Sequence, residues 1–253
     1  NSQKRGKTVL SKKKWVATVK DDKWVVAKVS QRKGGLSILR LEEFDKNEFI
    51  LEEENNTTQK SSDSLRNESE LNEEGVGQED SELTLLKGWL KKNKIPHKKL
   101  QLAFSCPGVI TRVITIPELK KKDLEKLLTQ QVDQYFTLDV SDYVIDYRLL
   151  EKVEEEGQVR QNVLLVAIPL SEWEKQWDLW TKLGITPKVT DFAADCICRL
   201  YRRLSGWDDK KDHVPISDLA ILDLGKDRVE FVLLEHGVFF LYSDMEIELG
   251  DIN

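Results

Sequence analysis

Asn162-Val-Leu-Leu-Val-Ala-Ile168, followed by Pro169 and then Ser171-Glu-Trp-Glu174, is the stretch that decides the class of this chain. The first seven residues form a short, almost unbroken apolar run, which predicts a strand buried on both faces. Ser171 and Glu174 stand at capping-box spacing, so a helix is expected directly after the strand. Trp173, Trp177, Trp180 and Leu183 continue at helical spacing as a core stripe, and Gly184 is a natural stop. Residues 185–189 read as a short strand. Asp191 is expected to cap a second helix with Ala194, Ile197, Leu200, Tyr201 and Leu204 inward and Gly206 at its end. A polar connector over 207–217 leads to Leu219-Ala-Ile-Leu-Asp-Leu-Gly225, read as a buried strand ending in a turn. Residues 228–234 and 238–242 then form a hairpin around His236-Gly237. Strands alternating with helices predict an α/β protein.

The same reading extends upstream. Residues 143–150 form a strand turned by Glu154-Glu-Glu-Gly157. Residues 118–136 form an amphipathic helix with Leu124, Leu127, Leu128 and Val132 on one stripe, extended by Tyr135 and Phe136. Residues 109–116 form a strand ended by Pro117, and Cys106-Pro-Gly108 is the turn before it. Residues 100–105 are another strand. It follows a helix marked by Leu85, Leu86, Trp89 and Leu90, with Pro96 just past its end. The first part of the chain is a meander of three strands over 14–20, 23–30 and 36–41, turned by Asp21-Asp22 and Gly34-Gly35. Residues 52–82 have too few apolar side chains to offset the entropy of ordering and are read as a disordered acidic insertion.

The 253 residues are 40% hydrophobic and 33% charged, a globular balance with a wet surface. No apolar run approaches the roughly 18 residues of a membrane span. Lys4, Arg5 and Lys7 are not followed by the apolar region of a signal peptide. The net charge of −6 is unevenly spread. Residues 1–40 hold 12 Lys/Arg against 2 Asp, whereas residues 42–82 hold 15 Asp/Glu against 3 Lys/Arg. Such a basic head could meet anionic lipid or the acidic stretch, though a solvated surface is the simpler reading. Cys106, Cys196 and Cys198 are odd in number and read as reduced thiols. His97, His213 and His236 lack partners at ligand spacing, so no metal site is expected. Trp15 and Trp24 interleave with Lys only because strand faces alternate, and no nucleic acid is expected as a partner.

No nucleophile constellation or Walker sequence is present, so no catalytic residue is assigned. The candidate chemistry is phosphate binding at strand–turn–strand hairpins, where backbone N–H groups point at an anion and an Asp organises Mg²⁺. Asp223-Leu-Gly225, with Lys226 next to it, has that form. The first hairpin, Thr18-Val-Lys-Asp-Asp-Lys23, has no glycine. Asp21 and Asp22 there would repel a polyphosphate unless a metal intervened, and Lys20 or Lys23 would compensate in part. The candidate nucleotide-binding set is therefore Asp223, Gly225, Lys226, Lys20 and Asp21.

The ordered series Phe104-Ser-Cys-Pro-Gly108, Val113-Ile-Thr-Ile-Pro117, Gln131-Val-Asp-Gln-Tyr-Phe136, Asp146-Tyr-Arg-Leu149, Val163-Leu-Leu-Val-Ala-Ile168, Leu183-Gly-Ile-Thr-Pro187 and Leu222-Asp-Leu-Gly225 resembles the type IV pilus assembly protein PilM family. The resemblance runs from about Leu83 to Gly250, and more weakly over 12–45. It implies an actin-like (ribonuclease-H-type) ATPase fold with an inserted α+β subdomain shared with the cell-division protein FtsA. On that frame, 1–51 is the strand meander of the first lobe, 52–82 the insertion, and 83–97 a helix of the first lobe. The inserted subdomain spans 98–168, 169–217 returns to the first lobe, and 218–253 begins an incomplete second lobe.

The implied role is a scaffold in the cytoplasm, peripheral at the inner face of the membrane. It would dock the tail of a bitopic PilN-like protein in a groove between the inserted subdomain and the first lobe and self-associate into a ring. The alternatives are a nucleotide-responsive ATPase switch and a component resembling GspL of type II secretion. ATP with Mg²⁺ is implied for complete family members. Here Asp-x-Gly is absent from the first hairpin and Lys226 stands where a small residue is usual. No cofactor and no enzymatic activity are therefore expected.

Overall fold

The computed structural model describes residues 12–20, 23–32, 35–45, 76–205, 218–226 and 228–247. The turn at Asp21-Asp22, the expected disorder over 52–75, Gly206 and the connector 207–217 lie outside the described residues. The chain divides into two compact units, residues 1–103 with 179–190 and residues 104–178 with 191–253.

In the first unit, alternation of apolar and polar residues produces the antiparallel strands β1 (Lys12–Lys20), β2 (Lys23–Arg32) and β3 (Gly35–Asp45). Val19, Trp24 and Phe44 share one cross-strand row, as do Ala17, Val26 and Glu42. Trp24, Val26 and Phe44 are buried on this face. The chain then forms α1 (Val76–Lys92), whose Leu86, Trp89 and Leu90 are buried, with Trp89 tilted against Phe44 at 5.6 Å between ring centroids. The Arg40 Nη1 donates to the carbonyl of Asn93 at 2.7 Å, tying β3 to the turn after the helix. With α1 as crossover, β4 (Leu100–Phe104) lies parallel to β1, and the sheet order is β3-β2-β1-β4-β8, where β8 is Thr190–Phe192.

In the second unit, β5 (Ile110–Pro117), β6 (Tyr143–Glu155) and β7 (Gln158–Pro169) form an antiparallel sheet in the order β5-β7-β6. The helix α2 (Lys121–Gln131) covers one face. Leu124, Leu128 and Phe136 close on Ile116, Val163, Leu165 and Ala167 there. Leu164 and Val166, on the opposite face of β7, are buried as well, which is why the run from Val163 to Ala167 is apolar without interruption. The β6–β7 turn uses Glu156 at φ 52° and Gly157 at φ 74°, the left-handed pair a tight hairpin requires. The helix α3 (Leu170–Lys182) carries the chain into the first unit, where Trp180 and Leu183 are buried. Gly184 stops it at φ 70°. After β8 come α4 (Ala193–Leu204) and the strands β9 (Leu219–Leu224), β10 (Arg228–Glu235) and β11 (Val238–Glu246), in the order β11-β10-β9.

Several expectations are corrected. α1 begins at Val76, so the last residues of the expected disordered insertion are helical. α2 ends at Gln131, and a 3-10 turn over Val132–Tyr135 replaces its predicted last turn. α3 begins at Leu170, which puts Ser171 inside the first turn rather than at the cap. Trp177 is 43% exposed and stacks on Trp173 at 5.9 Å, so the tryptophan stripe is only partly core. The short strand lies at Thr190–Phe192 instead of 185–189. Asp191 is not the cap of α4, since that position is Phe192. Leu222 and Leu224 are 62% and 74% exposed, because β9 is an edge strand with one face uncovered among the described residues.

Candidate functional site

The polar chemistry of the second unit is gathered at two places. The first is the covered face of the β9–β11 sheet, where Asp223, Glu230 and Asp244 occupy one cross-strand row. Glu230 is buried and its Oε1 accepts from the Ser105 hydroxyl and, at 3.0 Å, from the Tyr242 hydroxyl. Arg228 reaches Glu230 at 3.7 Å and Asp244 at 3.9 Å. Beside this layer, burial pushes the Cys106 thiol up to about 12. Glu172, Asp244 and Glu230 add to the shift and Arg228 opposes it. Burial and the Glu230 carboxylate also push the Tyr242 phenol well above its ordinary range. A serine hydroxyl held on a carboxylate that already accepts from a tyrosine, with a protonated thiol alongside, is not an activated nucleophile. The arrangement ties the turn after β4 to β10 and β11.

The second place joins β6 to α4. Arg148 donates to Asp195, which is 1% exposed, and Arg199 Nε lies 3.2 Å from the other oxygen of the same carboxylate. Arg199 also donates to Asp191, and Arg202 stands 3.9 Å from Glu151. Burial raises the Asp195 carboxyl above its usual range, and the two guanidinium groups pull it back. Arg148, Arg199, Leu200, Arg202 and Arg203 line a shallow cleft on this side.

A third feature is apolar. Leu128, Val132, Ile145, Tyr147 and Leu165, rimmed by Glu125 and Asp146, line a recess of about 240 Å³ between α2 and β6. β6 is an edge strand of its sheet.

Of the residues marked for phosphate binding, Asp223, Gly225 and Lys226 stand together at the end of β9. The Gly225 N–H donates to the Arg228 carbonyl at 2.8 Å, so it closes the hairpin rather than facing an external anion. Lys20 is the last residue of β1, in the first unit, and Asp21 lies outside the described residues. Among the described residues no three His, Cys, Asp or Glu side chains are grouped to hold a metal ion, and no helix is long and apolar enough to cross a membrane. Sequence reasoning missed Glu230, Arg228, Arg148 and Asp195. The one available signal was a charge at an inward position of the β10 alternation.

Residues 50–244 match the family model described as type IV pilus assembly protein PilM. Among solved structures, the chain is similar to a PilM-PilN type IV pilus biogenesis complex, with a TM-score of 0.62 at 16% identity over 94% of this chain and 62% of that one. It also aligns with the cytoplasmic domain of EpsL, an inner-membrane component of the type II secretion system of Vibrio cholerae (TM-score 0.45, 10% identity, 93% and 71% covered). A Bacteroides thetaiotaomicron protein with an actin-like ATPase fold aligns at TM-score 0.41 and 11% identity, with 93% and 70% covered. Comparison with curated protein sequences returns no match. The chain thus spans 62% of the length of the chain in the pilus complex. The fold is the actin-like α/β fold expected from the ordered motifs, and the chain belongs to the type IV pilus assembly protein PilM family.

Proposed function

We propose that this chain is a docking scaffold of type IV pilus biogenesis. It would hold the cytoplasmic tail of a bitopic, PilN-like inner-membrane protein and thereby sit peripherally at the inner face of the membrane. The observation that carries this reading is the family match over residues 50–244, together with the likeness to a PilM found in complex with PilN. The apolar recess beside β6, an edge strand among the described residues, supports it, because such a surface can take up an extended segment by strand addition and side-chain insertion. The test is titration of a labelled peptide carrying the cytoplasmic tail of a PilN-like protein of the same organism. Saturable binding is expected. No binding, either by this chain or by one extended to the full length of its relative, overturns the reading.

The runner-up is a nucleotide-responsive switch, for which Asp223, Gly225 and Lys226 are the residues on one turn. A ligand that binds only the native state raises the melting temperature. With the Gly225 amide engaged by Arg228, millimolar ATP with Mg²⁺ is expected to leave the melting temperature unchanged. A rise that disappears in Asp223→Ala would favour the switch. A membrane-spanning helix encoded just downstream would instead favour a role like that of GspL.

A further inference from the structure

Residues 83–117 contain no Asp or Glu, yet carry Lys87, Lys91, Lys92, Lys94, Lys98, Lys99 and Arg112, in a chain whose net charge is −6. All six lysines are exposed. Their arrangement follows from the helix. α1 turns Leu86, Trp89 and Leu90 inward, so at 3.6 residues per turn the opposite face carries Thr84, Lys87, Gly88, Lys91 and Lys92. That face is open: a Cβ built on Gly88 would meet nothing within 4 Å. Beyond the helix, Lys94 turns the chain at φ 53° and the 3-10 turn His97–Lys99 presents Lys98 and Lys99. Among the described residues none of the six ammonium groups has a carboxylate partner.

Two of these charges, Lys91 and Lys92, complement the negative end of the helix dipole. Lys87, Lys94, Lys98 and Lys99 have no such account, and no carboxylate among the described residues relieves their mutual repulsion.

The chemistry of the surface narrows its partner. The cations are all lysines, which are hydrated point charges on flexible stems. The nearest arginine held to this turn, Arg40, is already engaged with Asn93 and Glu42. No aromatic ring is exposed among these residues for a base to stack on, since Trp89 is buried. A set of lysines without a fork, a pocket or a stacking platform does not select one phosphate or a nucleic acid. It suits a broad surface of diffuse negative charge. We propose that the outer face of the second half of α1 and the turn 93–99 contact a bilayer containing anionic phospholipid, through ammonium groups seated among headgroup phosphates. The contact is separate from tail docking: it would bring the chain to the membrane surface directly, and each can fail without the other.

The test is sedimentation of the 253-residue chain with vesicles of phosphatidylcholine alone or with about one third phosphatidylglycerol. Binding is expected only to the anionic vesicles and should weaken as salt is raised. In the variant K87Q/K94Q/K98Q/K99Q the partition coefficient should fall roughly a hundredfold or more, since each lysine near such a surface contributes about fivefold. The four positions are exposed, so the melting temperature of the variant should match the parent. The matched control K4Q/R5Q/K7Q/K12Q removes as many charges from the beginning of the chain and should lose far less. Absence of binding to anionic vesicles overturns the proposal. Equal losses in the two variants also overturn it, because they would show a response to total charge rather than to this surface.

Discussion

Asp195→Ala is expected to lower the stability of the second unit by about 3–5 kcal/mol, as breaking a buried ion pair from one side does. The carboxylate is 1% exposed and holds two guanidinium groups, Arg148 from β6 and Arg199 one turn further along α4. Removing it strands Arg148, which is largely covered and whose Nε already lacks a hydrogen-bond partner. The cost is therefore mostly the desolvation of an orphaned cation, not the lost attraction. Two further variants separate these contributions. Asp195→Asn keeps the volume and one acceptor and should cost less than Asp195→Ala. The double variant R148M/D195L replaces the pair with apolar groups and should recover much of the loss, because the pair itself is a weak net stabiliser. Urea unfolding followed by circular dichroism measures all three. A loss below about 1 kcal/mol for Asp195→Ala, the range of exposed pairs, would show that the site is wetter than its burial suggests.

This same residue marks where sequence patterning stops being informative. In α4 the apolar positions Leu200 and Leu204 predict the inward face together with Ala194; Ala194 is buried, yet Leu200 and Leu204 are 45% and 77% exposed, and Asp195 and Cys198 are buried in their place. Periodicity assumes that apolar side chains go in. Here the helix orientation is set by an arginine 47 residues away in sequence, and nothing local to α4 encodes it. β9 misled for a related reason: Leu222 and Leu224 are as apolar as a core strand, but strand order decides what covers them. Where local and tertiary demands agree, the reading was sound. The run from Val163 to Ala167 is buried on both faces, and Gly157, Gly184 and Gly237 take the left-handed backbone their positions require. The turn after β9 could be read from Asp223-Leu-Gly225, but the hydrogen bond that turns the Gly225 amide inward could not. The tie from Ser105 to Glu230, which also accepts from Tyr242 of the same hairpin, links two segments 125 residues apart, and only the fold brings them together.

Alkaline pH should destabilise the protein once it passes the ordinary thiol range. Cys106 and Cys198 are buried, and burial pushes both thiols from an ordinary 9.0 to about 12. The folded pKa is thus above the unfolded one. Below about pH 9 both states hold the thiol protons, and the full stability is present. Above it the unfolded chain releases protons that the native state retains, so stability is lost as pH rises towards the folded value. Each thiol contributes roughly 1 kcal/mol per pH unit in that window, and the two together roughly 2–3 kcal/mol. Cys196, raised to about 11, acts in the same direction, but its partial exposure and the nearby Arg199 reduce its share. Tyr242 adds to the trend above its ordinary 10.0, because its phenol is buried against Glu230. Urea midpoints taken between pH 8 and pH 10.5 should therefore fall steeply above 9. The double variant C106A/C198A, which keeps small apolar groups at both sites, should start from a lower midpoint and decline much less. If parent and variant fall in parallel, the thiols are not the linked groups.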